Sequence, residues 1–348
     1  MSMGSILLYA ISVSHGVESK STMRNLSRRK FVSSLGGLAL APLLHGCGTG
    51  EAKPFSVAAH VWPGYEPLFL ARTKGWLDEK RVRLVETPSA TSSLNALSNG
   101  IVEAAALTLD EVLRARASGL SLGVVLVFDV SAGADMVLAR PGINTLADLK
   151  GRLVGVEQGG LGAVMLSSAL QSAGLATKDV RQVSIVPADQ LNAWRDGQLD
   201  AVVTYEPVAS KLLEDGAIQL FDSRQMPQMI VDVLAVRSEA LKSQQASIRH
   251  LLVSHFRALH FLLNSFRDAS ELIAPRMHLH PDKLRSVFKG LDLPEVDSNR
   301  RLLAGATPEL LSSARKLSGS MVKAGLLSRE DTLAALLHAD FLPTEGRS

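Results

Sequence analysis

The order of strand-like and helix-like runs in this chain occurs twice, about 98 residues apart, and that repetition limits the fold more than any single residue does. In the first copy, strand-like runs at 55–61, 82–86, 103–107 and 123–128 alternate with helical runs at 66–74, 93–98 and 110–117. In the second, runs at 153–156, 182–186 and 201–204 alternate with helices at 163–172 and 188–195. Such alternation predicts parallel sheets with helices on both faces, an α/β fold. The closest echo sets Asn99-Gly100-Ile101-Val102-Glu103-Ala104-Ala105 beside Asp196-Gly197-Gln198-Leu199-Asp200-Ala201-Val202. In each, a glycine ends a helix, then come a hydrophobic residue, an acid and a small-residue strand. Chance likeness between two βαβ units explains one matching glycine; the matching order of whole units favours two related lobes.

A chain of 348 residues is long enough for two lobes with separate cores. The outbound crossing is expected at the apolar run 136–139 followed by Arg140-Pro141-Gly142, and the return at 230–236. That assigns 55–135 and 237–348 to lobe I and 136–236 to lobe II. From Ser238 onward the pattern is helical, with an amphipathic stretch at 248–266 expected to pack on lobe I.

Two like lobes imply a cleft. In open α/β sheets, ligands sit beyond the carboxyl ends of the parallel strands, where helix N-termini also point. The loops there carry Glu66, Asp110, Asp129, Glu157, Glu206 and Asp232, with no lysine or arginine. Carboxylates in a cleft of low dielectric favour a cationic or hydrogen-bond-donating ligand. Trp62, Tyr65 and Tyr205 offer faces to a flat ring or an ammonium group. Ser89, Thr91, Ser92 and Thr108 supply hydroxyls, and Gly159 and Gly160 a turn that brings backbone close. These residues form the expected ligand site. The plainer alternatives are that Trp62 fills the lobe core and that the carboxylates cap helices, which suits Asp110 best, at a helix start.

The N-terminal segment reads as an address. Ser27-Arg28-Arg29-Lys30-Phe31-Val32 is a twin-arginine export pattern, followed by an apolar run over 31–44. About 14 residues of helix span roughly 21 Å, short of a hydrocarbon core near 30 Å. Leu44-His45-Gly46-Cys47 resembles the lipobox of bacterial lipoproteins, which makes Cys47 the expected lipidation site, residues 1–47 a signal peptide and 48–54 a tether. Residues 1–22 fit no part of that scheme, and Met23 is a plausible start. The formal charge of +3 belongs to this segment: its five bases and one acid leave 32 basic and 33 acidic residues beyond Cys47. Nucleic-acid binding thereby loses its support. A single cysteine excludes an internal disulfide or cysteine metal cluster, and His278-Leu279-His280 lacks the partners for a metal site.

Three stretches carry a family resemblance: Trp62-Pro63-Gly64-Tyr65-Glu66-Pro67 with Leu70-Ala71 and Gly75; Asp148-Leu149-Lys150-Gly151-Arg152-Leu153-Val154-Gly155-Val156; and Gly197-Gln198-Leu199-Asp200-Ala201-Val202-Val203-Thr204-Tyr205-Glu206-Pro207. Together, over about 57–236, they resemble the taurine/nitrate/sulfonate-type ABC substrate-binding proteins, which include thiamine-pyrimidine-binding members. The resemblance implies a type II periplasmic-binding-protein fold, two lobes with a hinged ligand cleft, and docking to a membrane permease. With the leader, the expectation is a periplasmic or cell-surface lipoprotein, a monomer with a small-molecule ligand and no cofactor or catalytic residue. One departure bears on the ligand: family members that bind anions often have hydroxyls at the glycine turn, whereas this one reads Glu157-Gln158-Gly159-Gly160-Leu161-Gly162. A neutral, cationic or heteroaromatic solute is therefore expected, with a sulfonate or nitrate as the alternative. An enzyme on this fold is disfavoured, since the body lacks the cysteines of the pyrimidine synthase and a Gly-x-Ser-x-Gly elbow. A ligand-sensing ectodomain remains the other reading.

Overall fold

Two mixed sheets carry the fold in the computed structural model, which describes residues 53–158 and 160–344. The export pattern, Cys47, most of the tether and Gly159 lie outside the described residues. The first sheet begins with β1 (Phe55–Ala59), α1 (Glu66–Thr73), β2 (Val82–Glu86), α2 (Ala90–Ser98), β3 (Ala104–Thr108), α3 (Leu109–Ala117) and β4 (Leu122–Ser131). The second holds β5 (Asp135–Ala139), β6 (Leu153–Val156), α4 (Leu161–Ser172), β7 (Arg181–Ser184), α5 (Pro187–Arg195), β8 (Ala201–Tyr205), α6 (Val208–Glu214) and β9 (Ile218–Asp222). The chain then returns to the first sheet as β10 (Val231–Arg237). The tail follows, with α7 (Ser238–Ser243), α8 (Gln245–Asn264), α9 (Phe266–Met277) and the short β11 (Leu291–Asp292).

Strand order is β11-β4-β10-β3-β1-β2 in one sheet and β7-β6-β8-β5-β9 in the other. The expectation of parallel sheets needs correcting: β10 is antiparallel to β3 and β4, and β5 to β8 and β9. The cause is the crossing itself. A chain that leaves one lobe at the cleft end of its sheet enters the other at its cleft end, and must run away from it. The outbound boundary stays within a residue of the expected one, since β5 begins at Asp135, and the return boundary moves. The run expected as the outbound crossing lies inside β5, and β10, expected in lobe II, is a strand of the first sheet. Both runs are apolar because they are buried inside sheets.

The repeat survives in atomic detail. Gly100 and Gly197 have φ of 69° and 75°, the left-handed conformation that ends a helix without a Cβ penalty. Around them Gly100 N donates to Leu97 O and Ile101 N to Ala96 O, while Gly197 N donates to Trp194 O and Gln198 N to Ala193 O. The two acids of the motif do the same work. Glu103 Oε2 accepts from Ser56 N at 2.7 Å, beside β1, and Asp200 Oδ2 accepts from Leu153 N at 2.8 Å, beside β6. Each ties the end of its loop to the neighbouring strand, and the registers agree, with Val57 opposite Ala104 and Val154 opposite Ala201. Asp200→Ala should cost about 1–3 kcal/mol, since it strands a strand-end N–H. Urea unfolding checks this, and no change in midpoint would show that the carboxylate is dispensable.

A large core runs through the first sheet, its tail helices and the near face of the second. A smaller one, around Leu138, Trp194, Val202 and Leu212, packs α5 and α6 on the far face of the second sheet. Among the described residues, no helix is long and apolar enough to cross a membrane.

Candidate functional site

Where the carboxyl ends of the two sets of parallel strands face each other, they enclose a cavity of about 30 Å³. Lobe I contributes His60 and Trp62 after β1, Ala90 of α2, Thr108 and Glu111 at the β3–α3 junction, and Asp232 of β10. Lobe II contributes Asp135, Glu157, Leu161, Gly162, Met165, Pro187, Val203, Thr204 and Tyr205. Four carboxylates therefore line the space, and among its described lining residues there is no lysine or arginine. The volume holds little more than a water or two, so a small organic molecule enters only if the lobes part.

The aromatic wall spans both lobes. Trp62 meets Tyr205 edge-on at 5.5 Å between ring centres, and His60 lies 5.3 Å from Tyr65 and 5.8 Å from Tyr205. Trp62 is held by a hydrogen bond from its Nε1 to Asp129 Oδ2 at 2.9 Å, and Tyr65 by one from its hydroxyl to Asp232 Oδ1. Burial, with Arg276 nearby, pushes the His60 imidazole down to about 3, so it is neutral at the cavity edge.

The acids are buried beyond ordinary practice for charged groups. Burial raises Glu111 to about 8, with Asp110 beside it acting in the same direction, and raises Asp135 to about 7. Asp129 and Asp232 stand directly opposite one another on β4 and β10. Burial raises Asp129 to about 8 and Asp232 well above the carboxylate range, and the Asp129 charge adds to the shift of Asp232. Asp129 Oδ1 and Asp232 Oδ2 both lack a partner, and one proton held between them would satisfy both. Glu111 Oε1, Asp135 Oδ2 and Thr204 Oγ1 are likewise buried without partners. Unpaired acceptors in such number have the full cost of desolvation and nothing in return, unless a donor arrives.

Of the residues expected from sequence, Trp62, Thr108, Tyr205 and Asp232 line the cavity, as does Glu157, one of the loop acids expected to face the cleft. Others stand one layer back: Tyr65 and Asp129 hold lining residues, and Thr91 binds Glu157 through its amide and hydroxyl. Ser89 caps α2, accepting from Ser92 N at 3.2 Å. Gly160 caps α4, and Gly159 lies outside the described residues. Three acids are spent elsewhere. Glu66 is ion-paired to Arg276 inside lobe I, Asp110 binds Thr108 Oγ1 at 2.6 Å and Arg114 at 3.4 Å, and Glu206 accepts from the amide and hydroxyl of Ser210 in α6. Asp110 and Glu206 point to local partners because each is at or beside the start of a helix, where free N–H groups or an i+4 side chain compete for a carboxylate, whereas Glu66 is taken by Arg276, which the tertiary fold brings from α9. His60, Glu111, Asp135 and Thr204 escaped the sequence reading. Glu111 had a signal, since Thr108-x-x-Glu111 is a capping box, and Thr108 N indeed donates to Glu111 Oε2 at 3.0 Å.

A family model described as the NMT1-like family matches residues 48–274, well over half the chain. The chain belongs to the NMT1-like family. A relative from Escherichia coli K12, named for binding aliphatic sulfonates, is 30% identical over 259 residues, spanning 70% of this chain and 79% of the relative. The crystal structure of the periplasmic aliphatic sulphonate binding protein SsuA from Escherichia coli matches with a TM-score of 0.66 at 22% identity, covering 82% of this chain and 92% of that one. The desulfurization enzyme DSZB matches at 0.60 and 17% identity, covering 83% of this chain and 97% of that one. At those identities the likeness shows the fold alone, the periplasmic-binding fold, on which this NMT1-like chain and an enzyme have both been built.

Proposed function

We propose that this NMT1-like protein is the extracytoplasmic solute receptor of an ABC importer, tethered through a lipid on Cys47, and that it captures a small organic cation by closing two lobes on it. The observation that carries the ligand class is the cavity lined by Glu111, Asp135, Glu157 and Asp232 without a lysine or arginine among its described residues. A guanidinium or ammonium donor satisfies the unpaired Glu111, Asp135 and Asp232 oxygens, and its charge draws these acids back to their ionised forms. Trp62 and Tyr205 flank the same space and suit a cation or the apolar part that bears it. Closure follows from contacts with both lobes: a ligand held by Asp232 on one side and Asp135 on the other has greater affinity for the closed arrangement. The names of the relatives favour a second reading, an aliphatic sulfonate.

Isothermal titration of the full chain with methylguanidinium, choline, ethanesulfonate and nitrate separates the two. The expected result is that a cation binds at least tenfold more tightly than either anion. Binding of ethanesulfonate with no response to both cations would replace the cationic reading by the sulfonate one. The anchor has its own check, since residence in the membrane fraction should be lost in Cys47→Ser.

A further inference from the structure

Two of the cavity glutamates reach across the cleft to the same kind of place. Glu157, from lobe II, accepts from Thr91 N at 3.1 Å and from Thr91 Oγ1 at 2.6 Å. Thr91 is the second residue of α2, in lobe I, so the carboxylate sits on the N-terminus of that nine-residue helix. Glu111, from lobe I, does the reverse. Its Oε1 lies so close to Gly160, the N-cap of the twelve-residue α4 in lobe II, that a Cβ on that glycine would stand 2.8 Å from the oxygen. Gly160 gives α4 no side-chain cap, and Glu111 Oε1 is fully buried with no partner of its own. The two lobes thus exchange carboxylates, each presented to a helix start of the other.

A helix N-terminus with free amides is where an oxyanion is ordinarily held, because the N–H groups and the helix dipole both favour negative charge. In this cleft both such positions are met by carboxyl side chains of the opposite lobe. We infer that Glu157 and Glu111 are carboxyl plugs that make the receptor reject sulfonates and other oxyanions: Glu157 takes the amide and hydroxyl at the start of α2, Glu111 stands against the start of α4, and a bound oxyanion would hold the lobes apart. The rejection has two parts. An oxyanion at α2 must displace Glu157 from Thr91, and it must then share the closed cavity with the displaced carboxylate. An anion that binds only the parted lobes gains nothing from closure and does not drive it. Gly160 belongs to the device, because any side chain there would meet Glu111 before α4 could approach it.

This inference rests on the solute-receptor reading and sharpens its ligand class, and its test separates the two. Ethanesulfonate is titrated calorimetrically into the full-length wild type and into Glu157→Ser, which leaves a hydroxyl and a free helix start, while methylguanidinium is titrated into the wild type. The expected result is no measurable sulfonate binding by the wild type and at least a tenfold gain in Glu157→Ser. Wild-type protein that binds ethanesulfonate as tightly as the variant overturns the inference, as does a folded variant that gains nothing. Should Glu157→Ser fail to give a cooperative thermal melt, the nearly isosteric Glu157→Gln decides by the same criterion, with the same tenfold gain required. A wild type that ignores methylguanidinium, beside a variant that gains sulfonate, defeats the cationic reading and leaves the rejection device standing.

Discussion

Gly64→Ala is expected to cost about 3 kcal/mol or more of folding stability and to abolish ligand capture. A Cβ at Gly64 would fall 1.7 Å from Asp129 Oδ2, 2.6 Å from its Cγ and 2.9 Å from Trp62 Nε1. A flexible side chain would swing away, but Asp129 has nowhere to go. It is fully buried on β4, faces Asp232 across the ladder and accepts from Trp62 Nε1 at 2.9 Å. The methyl group therefore breaks the Trp62–Asp129 bond and leaves a buried donor and acceptor unpaired, each worth about 1–3 kcal/mol, besides the overpacking. The indole would lose its anchor, and with it the edge-on contact to Tyr205 across the cleft. Gly75→Ala is the control. Its φ of +68° carries a strain of about 1 kcal/mol, yet nothing stands within 4 Å of the new methyl. Denaturant unfolding of the two variants should differ by at least about 2 kcal/mol on that reckoning. Equal losses would mean that the close approach at Gly64 is not what the cavity wall depends on.

The second large effect is on pH. Burial raises Glu111 and Asp129 to about 8 and Asp135 to about 7, all far above their values in an unfolded chain. Between the unfolded and folded values the native state holds more protons, so stability is full below about pH 4 and is lost as pH rises towards 8. Two buried histidines act oppositely at lower pH. His60 and His255 are pushed to about 3 by burial, His255 lying between Phe128 and Phe256. Their contribution changes only below about 6.5, where an unfolded histidine takes a proton. The window from pH 6.5 to 8 therefore belongs to the carboxylates. One carboxylate titrating there is worth about 1.4 kcal/mol per pH unit, or about 4 °C in the thermal midpoint across the window, so with three such acids the midpoint should fall by at least that much. Asp232→Asn should flatten that fall, because its amide can donate to Asp129 and favour the ionised form. Methylguanidinium should raise the midpoint most at pH 8, since the cation supplies the charge that burial denies. A midpoint that stays level from pH 6.5 to 8 in the wild type would show that these acids are better solvated than their burial implies.

The pattern of strands and helices was legible because burial imposes period and punctuation on the residues themselves. Strand β2 (Val82–Glu86) and strand β6 (Leu153–Val156) begin and end where the strand-like runs do, and the paired glycines at 100 and 197 mark helix ends in the chain and in space. The return boundary was misplaced because β10 is apolar for a reason shared by any strand inside a sheet. Sequence does not say which sheet a buried strand joins. At the site, Trp62, Tyr205 and Asp232 were readable from their place at strand ends. Glu66 and Glu206 looked equivalent, yet Arg276, 210 residues along the chain, takes one, and Ser210 in α6 takes the other.

The α/β alternation, the internal repeat and the acidic character of the loops that face the cleft can be read before any coordinates, because hydrophobic period, helix-ending glycine and charge are local properties, written in consecutive residues. Which carboxylates face the cavity and which are neutralised nearby, how the crossing strands turn antiparallel, and the exchange of Glu157 and Glu111 between lobes come from the three-dimensional packing. Those depend on what stands within about 3 Å of a given oxygen, the range of a hydrogen bond, and in a folded chain that neighbour is often a hundred residues away.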